Sequence, residues 1–177
     1  MGFTDAIRTC LRKYVTFSGR ASRPEYWWFV LFIILGGIVA GVIDGMLFAG
    51  SADLTVSPTG VAASSDGPVS ALFSLGTLLP ALAAAWRRMH DTGRSGLYVL
   101  YPLIAAVGIF TFMGMVAGFD TIASGQLAAL FTGAVGIIMA FAVIVLILSP
   151  LIVLWWLTRP SQSGPNQWGP NPNEVSR

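Results

Sequence analysis

The sequence predicts an all-α membrane protein with four transmembrane helices, an N-terminal cytoplasmic amphipathic helix, and both termini in the cytoplasm. Composition is the first reason. The chain is 55% hydrophobic and 10% charged, with a mean hydropathy of +0.73, whereas a soluble domain carries about 25% charged residues. The second is distribution, because the apolar residues gather into four runs near 26–49, 69–86, 97–119 and 127–157. These approach or exceed the length needed to cross roughly 30 Å of hydrocarbon. The third is charge placement. Arg8, Arg12, Lys13, Arg20, Arg23, Arg87, Arg88, Arg94, Arg159 and Arg177 all fall on one side of a four-span threading. Asp53, Asp66 and Asp120 fall on the other, with Asp44 at its edge, so the positive-inside rule puts the termini in the cytoplasm.

Three regions follow. Residues 1–25 form the cytoplasmic helix and a capping segment, 26–157 the four-helix domain, and 158–177 an irregular cytoplasmic tail. Phe3, Ile7, Cys10, Leu11 and Tyr14 recur at helical spacing opposite Arg8, Arg12 and Lys13. Such a helix suits either the membrane surface, with cations toward head groups, or the protein's own cytoplasmic face. Ser22 followed by Glu25 reads as a capping box with Pro24 in the first turn, so the first span starts near Arg23. Tyr26, Trp27 and Trp28 make an interfacial aromatic belt. Since the first apolar run begins this late, no cleaved leader is expected.

Within that run Gly37, Gly41 and Gly45 share one face, a stripe that admits another helix closely, from this chain or a second copy. Asp44 reads as an outer-interface residue, with a buried proton relay as the alternative. Residues 50–68 read as a loop. Pro80 is expected to kink the second span, its lost hydrogen bond made good by neighbours. Gly114 and Gly118 form a second small-residue pair in the third. The fourth run, at about 46 Å as α-helix, must tilt, kink at Pro150 or protrude.

The threading gathers three polar motifs at the cytoplasmic face, where they are expected to form one surface. The first holds Gly19, Arg20, Arg23, Glu25, Tyr26 and Trp27. The second, Arg87, Arg88, His90, Asp91, Gly93, Ser95 and Gly96, places the only histidine among arginines. The third holds Gly164, Asn166, Trp168 and Gly169. Together, over about Phe17 to Pro172, they resemble the bacterial family called domain of unknown function 805, small inner-membrane proteins. Leu97 stands where that family usually has an aromatic, and Asn171 where it commonly has aspartate. The resemblance implies fold and location and supplies no reaction.

The chemistry weighs against an enzyme. Adjacent His90 and Asp91 point about 100° apart on a helix and make a poor dyad, whereas Arg87 and Asp91 have the spacing of an ion pair. Protonation of His90 as a switch is a further alternative. No Walker A, GxGxxG, His-rich cluster or Gly-x-Ser-x-Gly elbow is present. One Cys and one His make no disulfide and a poor zinc site, so no metal or cofactor is expected. A net charge of +2 does not suggest a nucleic-acid partner. The leading expectation is a non-enzymatic structural or accessory subunit, packing against a larger membrane assembly or itself. The alternative is a lipid- or anion-binding protein that uses a cytoplasmic surface of Arg20, Arg23, Glu25, Arg87, Arg88, His90, Asp91, Arg94, Asn166 and Trp168, because guanidinium forks match phosphate oxygens. A small-solute transporter comes third, since no charge falls clearly at mid-membrane.

Overall fold

A computed structural model of the chain describes residues 1–48, 54–57, 60–63, 67–125, 128 and 131–174. Its helices are α1 (Phe3–Arg12), α2 (Arg23–Phe48), α3 (Pro68–Asp91), α4 (Tyr101–Ala117), α5 (Phe119–Ala123) and α6 (Gly133–Thr158), with a 3-10 turn at Gly96–Leu100 leading into α4. Among the described residues four segments are long and apolar enough to cross a membrane: Arg23–Phe48, Pro68–Asp91, Gly96–Ala117 and Val135–Thr158. The expected loop after α2 contains an antiparallel ribbon, β1 (Leu54–Ser57) and β2 (Gly60–Ala63), with Leu54 opposite Ala63. Asp53, Asp66 and Arg177, which enter the charge argument, lie outside the described residues.

Local chemistry sets the helix ends. The Glu25 amide donates to the Ser22 hydroxyl at 3.4 Å, which is half of the expected capping box. The Glu25 carboxylate does not reach back; it faces Arg87 instead. Helix α3 runs through Arg87–Asp91, beyond its apolar run. Its first turn is closed from another helix: Val69 and Ser70 amides donate to the Asp44 carboxylate of α2 at 3.0 and 2.7 Å. A carboxylate there satisfies orphan amides and meets the positive end of the helix dipole. Asp44 is therefore buried as an inter-helix cap, four residues before the end of α2. Gly67 makes room for it, since a Cβ there would sit 2.1 Å from the Asp44 Cγ. Helix α6 starts at Gly133, so it has 26 residues, about 39 Å, and the excess length inferred from the apolar run is reduced.

Two prolines lie inside spans, Pro80 in α3 and Pro150 in α6. Each removes the amide that would bond to the carbonyl four residues earlier. Hydroxyls serve both carbonyls. The Tyr14 hydroxyl donates to the Gly76 carbonyl at 2.7 Å, and the Ser149 hydroxyl to the Leu146 carbonyl at 3.3 Å. The segment after α1 thus fastens the Pro80 site of α3.

Helix α2 packs on α1 and α3, and α4 packs on α6. The buried apolar groups are small: Cys10, Phe29 and Ala84; Met89, Val153 and Leu157; Met113 and Met139. The close approach of α2 to α3 occurs at Gly36, where a Cβ would lie 2.3 Å from the Phe73 ring. The Gly37, Gly41 and Gly45 stripe lies about 100–180° round the helix from it, and among the described residues a Cβ on any of the three meets nothing within 4 Å. Packing of this stripe within the chain, one of its two expected uses, is not what the structure shows. Gly114 and Gly118 also differ from a helix seam. Gly114 lies under Phe119, and Gly118, at φ +86°, turns the chain from α4 into α5.

Tyr14→Phe should cost about 1 kcal/mol, the loss of a neutral hydrogen bond. In a Pro80→Ala background, where the Gly76 carbonyl regains an amide, the same change should cost markedly less. A thermal-stability cycle in nanodiscs measures this coupling; equal costs in both backgrounds would remove Tyr14 from the Pro80 account.

Candidate functional site

The three polar motifs meet at one end of the bundle, but they form an interior instead of a surface. Arg20, Glu25, Arg87, Arg88, His90 and Asp91 are all buried there, with Arg87, Arg88 and Asp91 at 0% exposure. Buried charges are tolerated only when paired and hydrogen-bonded, and these are paired, with Arg87 Nε alone among their charged donors left without a partner among the described residues.

Asp91 is the junction. Arg20 Nε donates to its Oδ1 at 2.9 Å, Arg88 Nη1 donates to its Oδ2, and the Ser161 hydroxyl donates to the same Oδ2 at 2.5 Å. One carboxylate thereby ties the segment before α2, the end of α3 and the tail. The expected Arg87–Asp91 pair does not form. Arg87 turns to Glu25 at 3.2 Å and donates to the Thr16 and Lys13 carbonyls at 2.6 and 3.4 Å. Asp91 pairs instead with Arg88 three residues back and with Arg20. Helical spacing makes such local pairs possible, but neighbours from other segments decide which one forms.

Most of the remaining arginine donors go to backbone carbonyls. Arg20 reaches Gln162 at 2.5 Å, Gly164 at 2.7 Å and Gly169 at 3.4 Å. Arg88 reaches the carbonyls of Leu157, at 3.0 Å, and Arg159, at the end of α6 where helical carbonyls have no internal partner. The tail returns the exchange at the end of α3, with the Gln162 amide on the Asp91 carbonyl at 2.8 Å and Asn166 Nδ2 on the His90 carbonyl at 3.0 Å. Gly19 and Gly93 hold φ of +86° and +79°, turns that favour glycine.

His90 and Asp91 do not face each other. The His90 ring lies 3.0 Å from the Gly19 carbonyl through Nδ1 and stacks on Trp168, centroids 4.5 Å apart and planes 8° from parallel. Among the described residues no three His, Cys, Asp or Glu side chains are grouped as metal ligands. Two sequence candidates stand apart from the buried set. Arg23 is exposed and holds the Arg159 carbonyl through Nε at 3.0 Å. Arg94 binds the Thr92 carbonyl at 3.1 Å and lies 5.2 Å over Trp156. The sequence reading missed Ser161 and Gln162, whose only signal is that they are polar and follow the last span. It also missed Cys10, buried against Phe29, with its thiol pushed up to about 12 by burial and then by the Glu25 carboxylate.

Two outcomes follow. Asp91→Ala strands Arg20 and Arg88 without their carboxylate and should cost about 3–5 kcal/mol, read as lost thermal stability, while exposed Arg8→Gln changes little. Cys10 should resist maleimide near pH 8, where an ordinary thiol is already partly ionised, and should react once the protein is denatured. Rapid labelling of the folded protein would contradict the buried thiol.

Residues 14–170 match the family described as "Protein of unknown function (DUF805)". Inner membrane protein YhaI of Escherichia coli (strain K12) is 39% identical over 98 residues, which are 55% of this chain and 70% of that protein. Inner membrane protein YhaH of the same strain is 36% identical over 98 residues, 55% of this chain and 72% of that protein. No solved structure matches the chain. Four membrane-length apolar helices, inner-membrane relatives and a match spanning all three polar motifs lead to one conclusion: this multi-pass inner-membrane protein belongs to the DUF805 family of unknown function.

Proposed function

We propose that the protein is a non-enzymatic structural or accessory subunit of the inner membrane, packing against a second copy of itself or a larger membrane assembly. The observation that carries this is the open face of α2, where among the described residues a Cβ on Gly37, Gly41 or Gly45 meets nothing within 4 Å. Small residues spaced four apart let helix backbones approach closely in lipid, where the hydrophobic effect does not drive association. The groups that the sequence offered for chemistry support the same reading. Arg20, Arg87, Arg88, His90 and Asp91 are engaged by their own chain, so they act as a lock that sets the helix ends. Membrane lipids are its constant partners, and no cofactor enters the reading. The charge distribution supports a cytoplasmic location for the lock and both termini.

A second reading, lipid or anion binding, is favoured by one observation: Arg23 and Arg159 remain exposed beside the lock. Native mass spectrometry of the protein released from nanodiscs separates the two readings. A stoichiometric partner or dimer that Gly41→Leu removes, with thermal stability unchanged, supports the packing role. A monomer without partners refutes it. A fluorescent protein fused after Arg177 should fluoresce if the tail is cytoplasmic, and a dark but full-length fusion would reverse the threading.

A further inference from the structure

Where α2 begins and α6 ends, the tail borders an open pocket of about 340 Å³ lined by Arg23, Ser161, Ser163, Asn173 and Glu174, among others. Its depth follows from its walls. Arg23 is the first residue of one membrane-length helix, and Ser161 lies three residues beyond the end of another at Thr158. The pocket therefore lies at the level of lipid head groups on the side of the polar lock.

The unused hydrogen-bonding capacity here is of two opposite kinds. Arg23 is anchored through Nε to the Arg159 carbonyl at 3.0 Å, and among the described residues its two Nη atoms donate to nothing. This is the reverse of Arg20 and Arg88, whose Nη donors go to Asp91 and the carbonyls. An anchored guanidinium with its outer fork free presents two donors to a phosphate. The other wall offers acceptors. Glu174 Oε1 is held by the Gly164 amide at 3.3 Å and Asn171 Nδ2 at 2.8 Å, while Oε2 takes no bond among the described residues. Asn173 gives its Nδ2 to the Ser161 hydroxyl at 3.1 Å, and its Oδ1 likewise takes no bond among the described residues. An oxyanion alone would meet the Glu174 charge, and a cation alone would meet Arg23. A ligand with phosphate and ammonium a few bonds apart satisfies both walls.

We propose that this pocket seats the head group of an aminophospholipid, with phosphate on the Arg23 fork and primary ammonium at Glu174 and Asn173. Trp155 lies exposed at the end of α6 with the Arg159 guanidinium 5.1 Å over its ring, an interfacial aromatic at the depth of the lipid's glycerol and upper chains. The proposal deepens the lipid-binding reading and does not depend on the packing role.

The test uses full-length protein in nanodiscs containing equal phosphatidylethanolamine and phosphatidylglycerol, followed by native mass spectrometry of retained lipid. Wild type should hold phosphatidylethanolamine in preference. Arg23→Gln should lower that retention about tenfold, as loss of a phosphate clamp predicts. Glu174→Gln should reverse the preference toward phosphatidylglycerol, which a purely anionic site would not do. All three proteins should melt alike, since neither Arg23 nor Glu174 is buried; Asn173→Ala repeats the ammonium arm should Glu174→Gln fail to fold. Arg23-dependent retention of phosphatidylglycerol in preference overturns the zwitterion site and leaves lipid binding standing. Retention of neither lipid overturns both. Soluble phosphoethanolamine that displaces the lipid at equal concentration would make the occupant a free metabolite and overturn the lipid assignment.

Discussion

A carboxylate with no access to water must be given several donors or lose its charge, and the polar end of this protein is built around that requirement at Asp91. The desolvation cost of such a group is several kcal/mol, recovered only with good geometry and additional hydrogen bonds. Asp91 receives Arg20, Arg88 and the Ser161 hydroxyl, one from each of three segments distant in sequence. Loss of the carboxylate strands all three donors, and loss of any one donor leaves the buried charge less compensated. Arginine suits the role better than lysine, because its planar fork reaches a carboxylate and a carbonyl from one side chain. Arg88 does this, binding Asp91 and the last carbonyls of α6.

The same logic explains why so many guanidinium contacts end on backbone oxygen. Helices α3 and α6 both end at this face, and each leaves carbonyls without internal partners. The carbonyl end of a helix also carries partial negative charge and favours cations. Arg88 from α3 caps α6, while Gln162 and Asn166 from the tail cap α3. The ends are thereby cross-tied, and the motif-rich tail is an integral part of the fold.

The four spans and the importance of the three motifs were legible in the sequence, because hydropathy and the scarcity of charge in a membrane protein are strong local signals. Partners were not. Helical spacing offered Arg87 with Asp91, yet the geometry chose Arg87 with Glu25, across 62 residues; no periodicity encodes which of two adjacent arginines points toward another segment. The glycine stripe shows the same limit. Spacing by four singled out Gly37, Gly41 and Gly45, while contact with α3 falls on Gly36, because the facing helix has Phe73 at that level and only tertiary structure reveals it. Burial was misread for a related reason. Exposed arginines and arginines sealed in a lock have the same sequence signature.

The distribution of packing bears on the proposed packing role. Within the most apolar stretch of each span, only 11% is buried for α2 and 6% for the span containing α4, while nearly all the buried charge lies at the polar end. Lipid solvates apolar helix faces as well as another helix does, so the spans need little mutual contact to be stable once their ends are fixed. A lock that fixes the ends while leaving the faces open allows helix surfaces such as that of α2 to be offered to a neighbour without first breaking internal contacts. Under the proposed packing role, affinity for a neighbour would be set by backbone approach at Gly37, Gly41 and Gly45, and not by the cost of opening the fold.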